Sequence, residues 1–301
     1  MHTPSLNPSP ALSWSVPFGF NETLEQARQR NIHDALLEDV GVQDWTALLV
    51  PDEPAQAQLW VRESAVLCGV DWFEGCLKKL DPQAQVIWNY LEGAVMEPNT
   101  VVCSIKAHAR AILTAERPAL NFLQSLSWTA TITHSYVKAI EGVITNPQAC
   151  LILDTRKTIP GLRQAQKYAV RVGGGSNQRL ALWDGILIKE NHIAAAGGIG
   201  PALRAASALH AGVSIQIEVE NFAELQQALD AGALSILLDN FTPKEMAQAV
   251  QLTAKRALLE ASGGIDLDQI CAIAKTGVDR ISIGKLTKDI VAVDFSLRVQ
   301  A

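Results

Sequence analysis

From residue 150 onward the apolar positions come in short, evenly spaced runs, at 150–153, 186–188, 213–219, 235–238, 257–260 and 280–283. Each run is strand-length and rich in Ile, Val or Leu, as parallel strands are when both faces are covered. Helical spacing fills the gaps and carries its own punctuation. Pro201 opens one helix and Gly212 closes it; Asn221 with Glu224 marks a cap; Thr242-Pro243-Lys244-Glu245 is a capping box with Pro at the first helical position. Strand and helix alternating every 20–30 residues or roughly so predict repeated βαβ units. Upstream the pattern is mixed. Helical spacing runs from Asn21 to Leu37, and short or alternating apolar runs follow at 58–61, 86–89 and 101–107, parted by turns at Asp81-Pro82 and Glu97-Pro98-Asn99. A small α+β unit is expected there. Leu120, Leu123, Leu126, Ala130 and Val137 predict a long amphipathic helix over 117–141. Residues 1–20 hold no Lys or Arg and read as a flexible leader.

Composition narrows the class. The 301 residues are 48% apolar and 19% charged, with a net charge of −6. A globular protein with ample core is expected, and broad binding to nucleic acid or an anionic membrane is not. No apolar run reaches the roughly 18 residues of a membrane span. Five widely spaced cysteines without Cys-x-x-Cys predict reduced thiols and a cytoplasmic protein. The charge is uneven, however. Residues 154–192 hold seven basic side chains against three acidic ones. A local cationic region in an acidic chain predicts a small anionic ligand rather than a polymer.

The candidate chemistry lies where the strands end. The six runs close on Asp154-Thr155-Arg156-Lys157, Lys189, Glu218, Asp239-Asn240, Ser262-Gly263-Gly264 and Gly284. Parallel barrels build their sites at that end. Arg156, Lys157 and Lys189 are candidate anion ligands there, whereas Arg163, Lys167 and Arg171 read as a solvated helix face. Glu218 and Asp239, ending neighbouring strands, could hold Mg²⁺ or ribose hydroxyls, or stabilise a cation-like carbon. Ser262-Gly263-Gly264 and Ser282-Ile283-Gly284 are candidate phosphate cradles. Gly173-Gly174-Gly175 matches neither a dinucleotide fingerprint nor a P-loop.

Several ordered motifs resemble the quinolinate phosphoribosyltransferase family. They are Asp154-Thr155-Arg156-Lys157-Thr158-x-Pro160-Gly161, Lys167-Tyr168-Ala169-Val170, Gly173-Gly174-Gly175-x-Asn177, Ile188-Lys189-Glu190-Asn191-His192, Leu238-Asp239-Asn240-Phe241, Ala261-Ser262-Gly263-Gly264-Ile265 and Gly277-Val278-Asp279-x-Ile281-Ser282-x-Gly284, with Glu116-Arg117-Pro118 and Leu37-Glu38-Asp39 upstream. The match runs from about residue 21 to the end. It implies an α/β fold: an N-terminal α/β sandwich domain (21–118) and an irregular open α/β barrel (119–288) of the type II phosphoribosyltransferase kind. A C-terminal segment (289–301) would return to the first domain. It implies a homodimer with an active site shared between subunits, a hexamer remaining open. It also implies transfer of phosphoribosyl from phosphoribosyl pyrophosphate (PRPP) to quinolinate with Mg²⁺, giving nicotinate mononucleotide, pyrophosphate and CO₂ for NAD synthesis. By the same resemblance Lys157, Glu218 and Asp239 would be catalytic. Arg117 of the partner, Thr155, Arg156, Lys157, Gln178, Arg179 and Lys189 would hold quinolinate. Glu218 and Asp239 would hold the ribose and Mg²⁺, directly or indirectly, and Ser262, Gly263, Gly264, Ile283, Gly284 and Lys285 would hold phosphate.

Two positions depart from the family pattern. Gln178 stands in Asn177-Gln178-Arg179 where many members have Asn-His-Arg; it can donate a hydrogen bond but carries no charge. Trp128-Thr129 stands where relatives usually have Gly-Ile. Four competing readings are a paralogue for another anionic heteroaromatic acid, a nicotinate phosphoribosyltransferase, a non-catalytic barrel, and a Schiff-base aldolase using Lys157 or Lys189. The many cations favour a dicarboxylate. The charged strand ends disfavour a sensor, and their crowding disfavours the apolar lysine that an aldolase needs.

Overall fold

The computed structural model describes residues 21–143 and 150–300; the leader expected over 1–20 lies outside them. Thr23 opens α1 (Leu24–Val40) through a reciprocal capping box with Gln26. β1 (Pro54–Val61), β2 (Ala65–Val66), α2 (Val70–Leu80), β3 (Gln85–Trp88), β4 (Val95–Met96), β5 (Thr100–His108) and α3 (Ala109–Glu141) follow. The second half carries β6 (Leu151–Leu153), α4 (Arg163–Val172), β7 (Gly185–Ile188), α5 (Glu190–Ala196), α6 (Ile199–Ala208), β8 (Ser214–Val219), α7 (Phe222–Asp230), β9 (Ser235–Asp239), α8 (Pro243–Thr253), β10 (Leu258–Ser262), α9 (Ile270–Ala274), β11 (Arg280–Ser282), α10 (Lys285–Lys288) and β12 (Phe295–Gln300).

All six apolar runs of the second half are strands. They form one parallel sheet in the order β6-β11-β10-β9-β8-β7. Its two end strands, β6 and β7, do not pair, so the barrel is open along one side. The pleat divides the residues of each strand. Ile152, Ile217, Val219, Ile236, Leu238, Leu259, Ala261 and Ile281 face outward and fill the core against the helices. The alternate positions face the barrel interior, and many are polar: Gln216, Glu218, Asp239, Glu260, Ser262 and Ser282. The expectation of two apolar faces therefore holds for the outer face alone.

The first half builds an antiparallel sheet in the order β12-β1-β5-β3. The last strand lies at its edge, pairing Val61 with Phe295 and Gln56 with Gln300. The long helix begins at Ala109, eight residues before its expected start, because β5 turns straight into it at His108. Pro118 sits in its interior and removes one backbone donor. Packing outweighs that loss. Ile112, Ala115, Ala119, Leu120, Leu123 and Leu126 lie in the core of the first sheet, while Tyr136 and Ile140 lie in the barrel core. Trp128, unexplained by the sequence, donates its indole N–H to the Asp289 carbonyl at 2.9 Å. It thereby pins the returning chain against α3, where Val293 N–H also reaches the Gln124 carbonyl. Burial pushes the free thiols of Cys76 and Cys150 up to about 12, so both stay protonated and unreactive near neutrality.

Candidate active site

The C-terminal ends of the barrel strands bring predicted residues together. The Lys189 ammonium lies 2.7 Å from Glu218 Oε2, a carboxylate only 11% exposed. His192 Nδ1 accepts the Lys189 backbone N–H at 3.0 Å and fixes the turn that carries it. Asp239 lies in register with Ser262, and Asn240 Nδ2 donates to Asp239 Oδ2 at 2.8 Å. Gly263 is dictated by this closeness. Its φ is +112°, and a Cβ there would stand 2.3 Å from Asn240 Oδ1 and 2.9 Å from the Asn240 backbone nitrogen.

The second glycine turn packs on the Asp154–Lys157 segment. A Cβ on Gly284 would lie 3.2 Å from Lys157 Cδ. Thr287 Oγ1 donates to the Lys157 carbonyl at 2.8 Å, and Thr155 Oγ1 accepts the Lys157 N–H at 3.1 Å. Two residues expected to hold phosphate have other partners here. The Ile283 amide donates to the Leu153 carbonyl and its side chain is buried. Lys285 pairs with Asp266, which raises its ammonium pKa. Arg117 stands apart on α3, its side chain 61% exposed and, among the described residues, at ion-pair distance from Glu116 alone.

Beside these strand ends lies a cluster of guanidiniums. Arg156 Nε is buried without a hydrogen-bond partner. Arg179 Nη1 donates to the Gly185 carbonyl at 2.7 Å, on the unpaired edge of β7, and Arg163 Nε donates to Thr158 Oγ1 at 3.1 Å. Burial lowers the pKa of Arg163 and of Arg179, and the Arg156 charge lowers both further. Among the described residues none of the three has a carboxylate at ion-pair distance. Arg156 repels both of the others, and such cations without a carboxylate partner call for an anion. Arg163 was expected on a solvated face; instead it shares this field.

Lys167 is a second correction. It is 1% exposed and pairs with Asp154, which is fully buried. Burial raises the Asp154 carboxyl and lowers the Lys167 ammonium, each countered by the charge of the other. Asp154 also accepts from Asn177 Nδ2 at 2.6 Å and from the Gln178 N–H at 2.9 Å. Lys167 donates to the Gln178 carbonyl at 2.8 Å. The Gln178 side chain points to the barrel floor, where Nε2 donates to Gln216 Oε1 at 2.7 Å and lies 3.2 Å from Glu260 Oε1. Sequence reasoning missed Glu260 and Gln216. The signal was their place two residues before Ser262 and Glu218, one layer down the same inward face.

A cavity of about 1190 Å³ opens at the opposite mouth of the barrel, lined by Ser214, Ser235, Leu258 and Arg280 and reaching Gln178 and Arg179. It holds none of the strand-end carboxylates or lysines, so volume is a poorer guide here than chemistry. Among the described residues no group of three or more His, Cys, Asp or Glu could cage a metal ion. Glu218 and Asp239 alone suit an ion such as Mg²⁺ that keeps waters and borrows phosphate oxygens from a substrate.

Comparison with known proteins shows the family. Residues 44–127 match the family profile described as quinolinate phosphoribosyl transferase, N-terminal domain, and residues 129–298 match the C-terminal domain. A nicotinate-nucleotide pyrophosphorylase [carboxylating] of Mycobacterium leprae is 39% identical over 282 residues, 90% of this chain and 96% of that protein. A probable enzyme of the same name from Bacillus subtilis is 37% identical over 266 residues, 87% of this chain and 90% of that protein. The solved nicotinate-nucleotide pyrophosphorylase of Francisella tularensis superposes with a TM-score of 0.87 at 44% identity, covering 93% of this chain and 98% of that one. The human nicotinic acid phosphoribosyltransferase, at 14% identity and a TM-score of 0.59, shares the fold alone.

Proposed function

Because the chain belongs to the quinolinate phosphoribosyltransferase family, we propose that it joins quinolinate to PRPP with loss of CO₂, giving nicotinate mononucleotide and pyrophosphate for NAD synthesis. One observation carries the choice of acid: Arg156, with its buried Nε unpartnered, and Arg163 and Arg179 within reach of its charge, have no carboxylate at ion-pair distance among the described residues. A dicarboxylate answers that charge better than a monocarboxylate, and guanidinium forks suit carboxylates in pairs.

The pyridine nitrogen attacks the anomeric carbon of PRPP as the bond to pyrophosphate breaks. Glu218 and Asp239 face the carbon that becomes cation-like, and their charge stabilises it. The ring nitrogen is then cationic. The bond to the 2-carboxylate breaks with its electron pair left beside N⁺; CO₂ departs and a proton takes its place on the ring. Mg²⁺, held by Glu218 and Asp239 and by substrate oxygens, would neutralise pyrophosphate. Lys189, paired with Glu218, keeps that carboxylate oriented and presents positive charge to the acid. Much of the acceleration is positioning and electrostatics.

The glycine turns at Gly263 and Gly284 receive phosphate through backbone N–H groups. Gly263→Ala is expected to raise KM for PRPP at least about ten-fold and to destabilise the fold by more than about 1 kcal/mol, because an L side chain is strained at that φ. KM for quinolinate should change far less. Steady-state kinetics and thermal unfolding check both.

A second copy of the chain completes the site with Arg117. The exposure of that arginine supports this, as do Val42, Trp45, Leu48 and Leu49, large apolar side chains presented to solvent on one short segment. The free, buried thiols support a reducing cytoplasm. The test of the whole reading is an Mg²⁺-dependent assay with PRPP and either quinolinate or nicotinate. CO₂ and nicotinate mononucleotide in equal amounts from quinolinate support it. Turnover of nicotinate alone, or of neither acid, overturns it.

A further inference from the structure

We infer that Glu260 is a positioning residue: through Gln216 and Gln178 it fixes the backbone that carries Arg179. The inference rests on the proposed reading only for what Arg179 does.

Glu260 is fully buried on the inward face of β10, and among the described residues it has no cation at ion-pair distance. A buried carboxylate without a charged partner is costly unless its oxygens are satisfied. Here the satisfaction comes from two amides. Gln216 Nε2 donates to Glu260 Oε2 at 2.9 Å, and Gln178 Nε2 lies 3.2 and 3.3 Å from the two Glu260 oxygens. Its in-register neighbours on the inward face are Leu237 of β9, which offers nothing polar, and Arg280 of β11, whose guanidinium does not reach ion-pair distance of Glu260.

Amides are ambivalent groups, but a carboxylate is an acceptor only. Glu260 therefore forces both glutamines to turn their NH₂ groups toward it. Gln216 Oε1 is then presented to Gln178 Nε2 at 2.7 Å. Gln178 Oε1 is left facing the Arg179 backbone N–H, which donates to it at 2.6 Å. The chain of bonds runs in one sense, from carboxylate through two amides to one peptide. Asp154 and Lys167 hold the preceding peptide from the other side, at the Gln178 N–H and carbonyl. The Arg179 Cα is thus fixed on both flanks, with its guanidinium on the Gly185 carbonyl and within the field of Arg156. Without Glu260 either amide can turn over, two carbonyls can meet, and the Arg179 peptide loses its acceptor.

Two variants of the full-length protein test this. Glu260→Gln keeps the shape and removes the acceptor-only end; Gln216→Leu keeps much of the volume and cuts the middle. Each is expected to raise KM for quinolinate about ten-fold, the scale of one lost hydrogen bond at a charged contact, with KM for PRPP changed less than about two-fold. Each should also speed hydrogen exchange at the Arg179 amide at least about ten-fold, a readout that needs no turnover. Faster exchange together with the split in KM supports the relay. Unchanged exchange in Gln216→Leu, or an equal rise in both KM values, overturns it. If wild-type protein proves inactive on quinolinate, the exchange result still decides whether the relay exists.

Discussion

Arg156→Ala is expected to lower kcat/KM for quinolinate by roughly 10²- to 10³-fold, the equivalent of about 3–4 kcal/mol and of the scale seen when one partner of a buried charge pair is removed. The buried, unpartnered Arg156 Nε marks a donor that waits for its acceptor. A bound carboxylate would supply one, and without Arg156 it would enter a dry pocket with one fork too few. Arg156→Lys should recover only part of the loss, because an ammonium is a point charge and cannot make the paired bonds. Stability should move the other way. The Arg156 charge lowers the pKa of Arg163 and of Arg179, so its removal relieves repulsion in the empty site. Unfolding of the ligand-free variant should come at the same or higher temperature. An unchanged kcat/KM for quinolinate would sink the assignment of this pocket to the acid.

Lys167→Met should be the most destabilising single change near the site, at about 3–5 kcal/mol, because it strands Asp154 in the interior. A fall in Tm of about 10 °C is expected. The deficit should depend on pH, with a definite sign. Burial raises the Asp154 carboxyl, and the lysine charge is what opposes that rise. Without Lys167 the folded-state pKa climbs further above the unfolded one. The folded variant then holds its proton more tightly than the unfolded chain does. Its stability is highest below the unfolded pKa and declines as pH rises through the folded pKa. The gap from wild type should therefore be small in acid and widest near neutrality. Adding Asp154→Leu should restore only part, since Asn177 and the Gln178 N–H would lose their acceptor. Denaturant unfolding at pH 5 and pH 8 measures this, and a pH-independent loss below about 1 kcal/mol would contradict it.

Much of the architecture was legible because the barrel strands alternate with well-punctuated helices. The capping box at Thr242 and the Asn221 cap sit where the sequence put them. The strand-end residues were legible because charge is conspicuous at the close of an apolar run. What lay one layer deeper was not. Lys167 occupies a helix position that looks solvated by composition, and only the buried Asp154 across from it explains its place. Glu260 was read as the end of an apolar run rather than as a buried anion. The start of α3 was missed because no glycine or proline separates it from β5, and packing carries the helix through Pro118. Arg117 could be placed by resemblance, but one chain alone does not bring it to the other site residues.

The edge position of β12 bears on how the protein is made. Phe295 to Gln300 complete a sheet whose partner strand, β1, leaves the ribosome more than two hundred residues earlier. Through most of translation β1 therefore has an open edge, and the apolar side chains beneath it await Val293 and Phe295. The first sheet can become native only once residues 295–300 have been made and have cleared the exit tunnel. Premature stops between codons 289 and 300 should therefore be out of proportion to the length they remove, yielding nascent chains that chaperones hold and proteases clear.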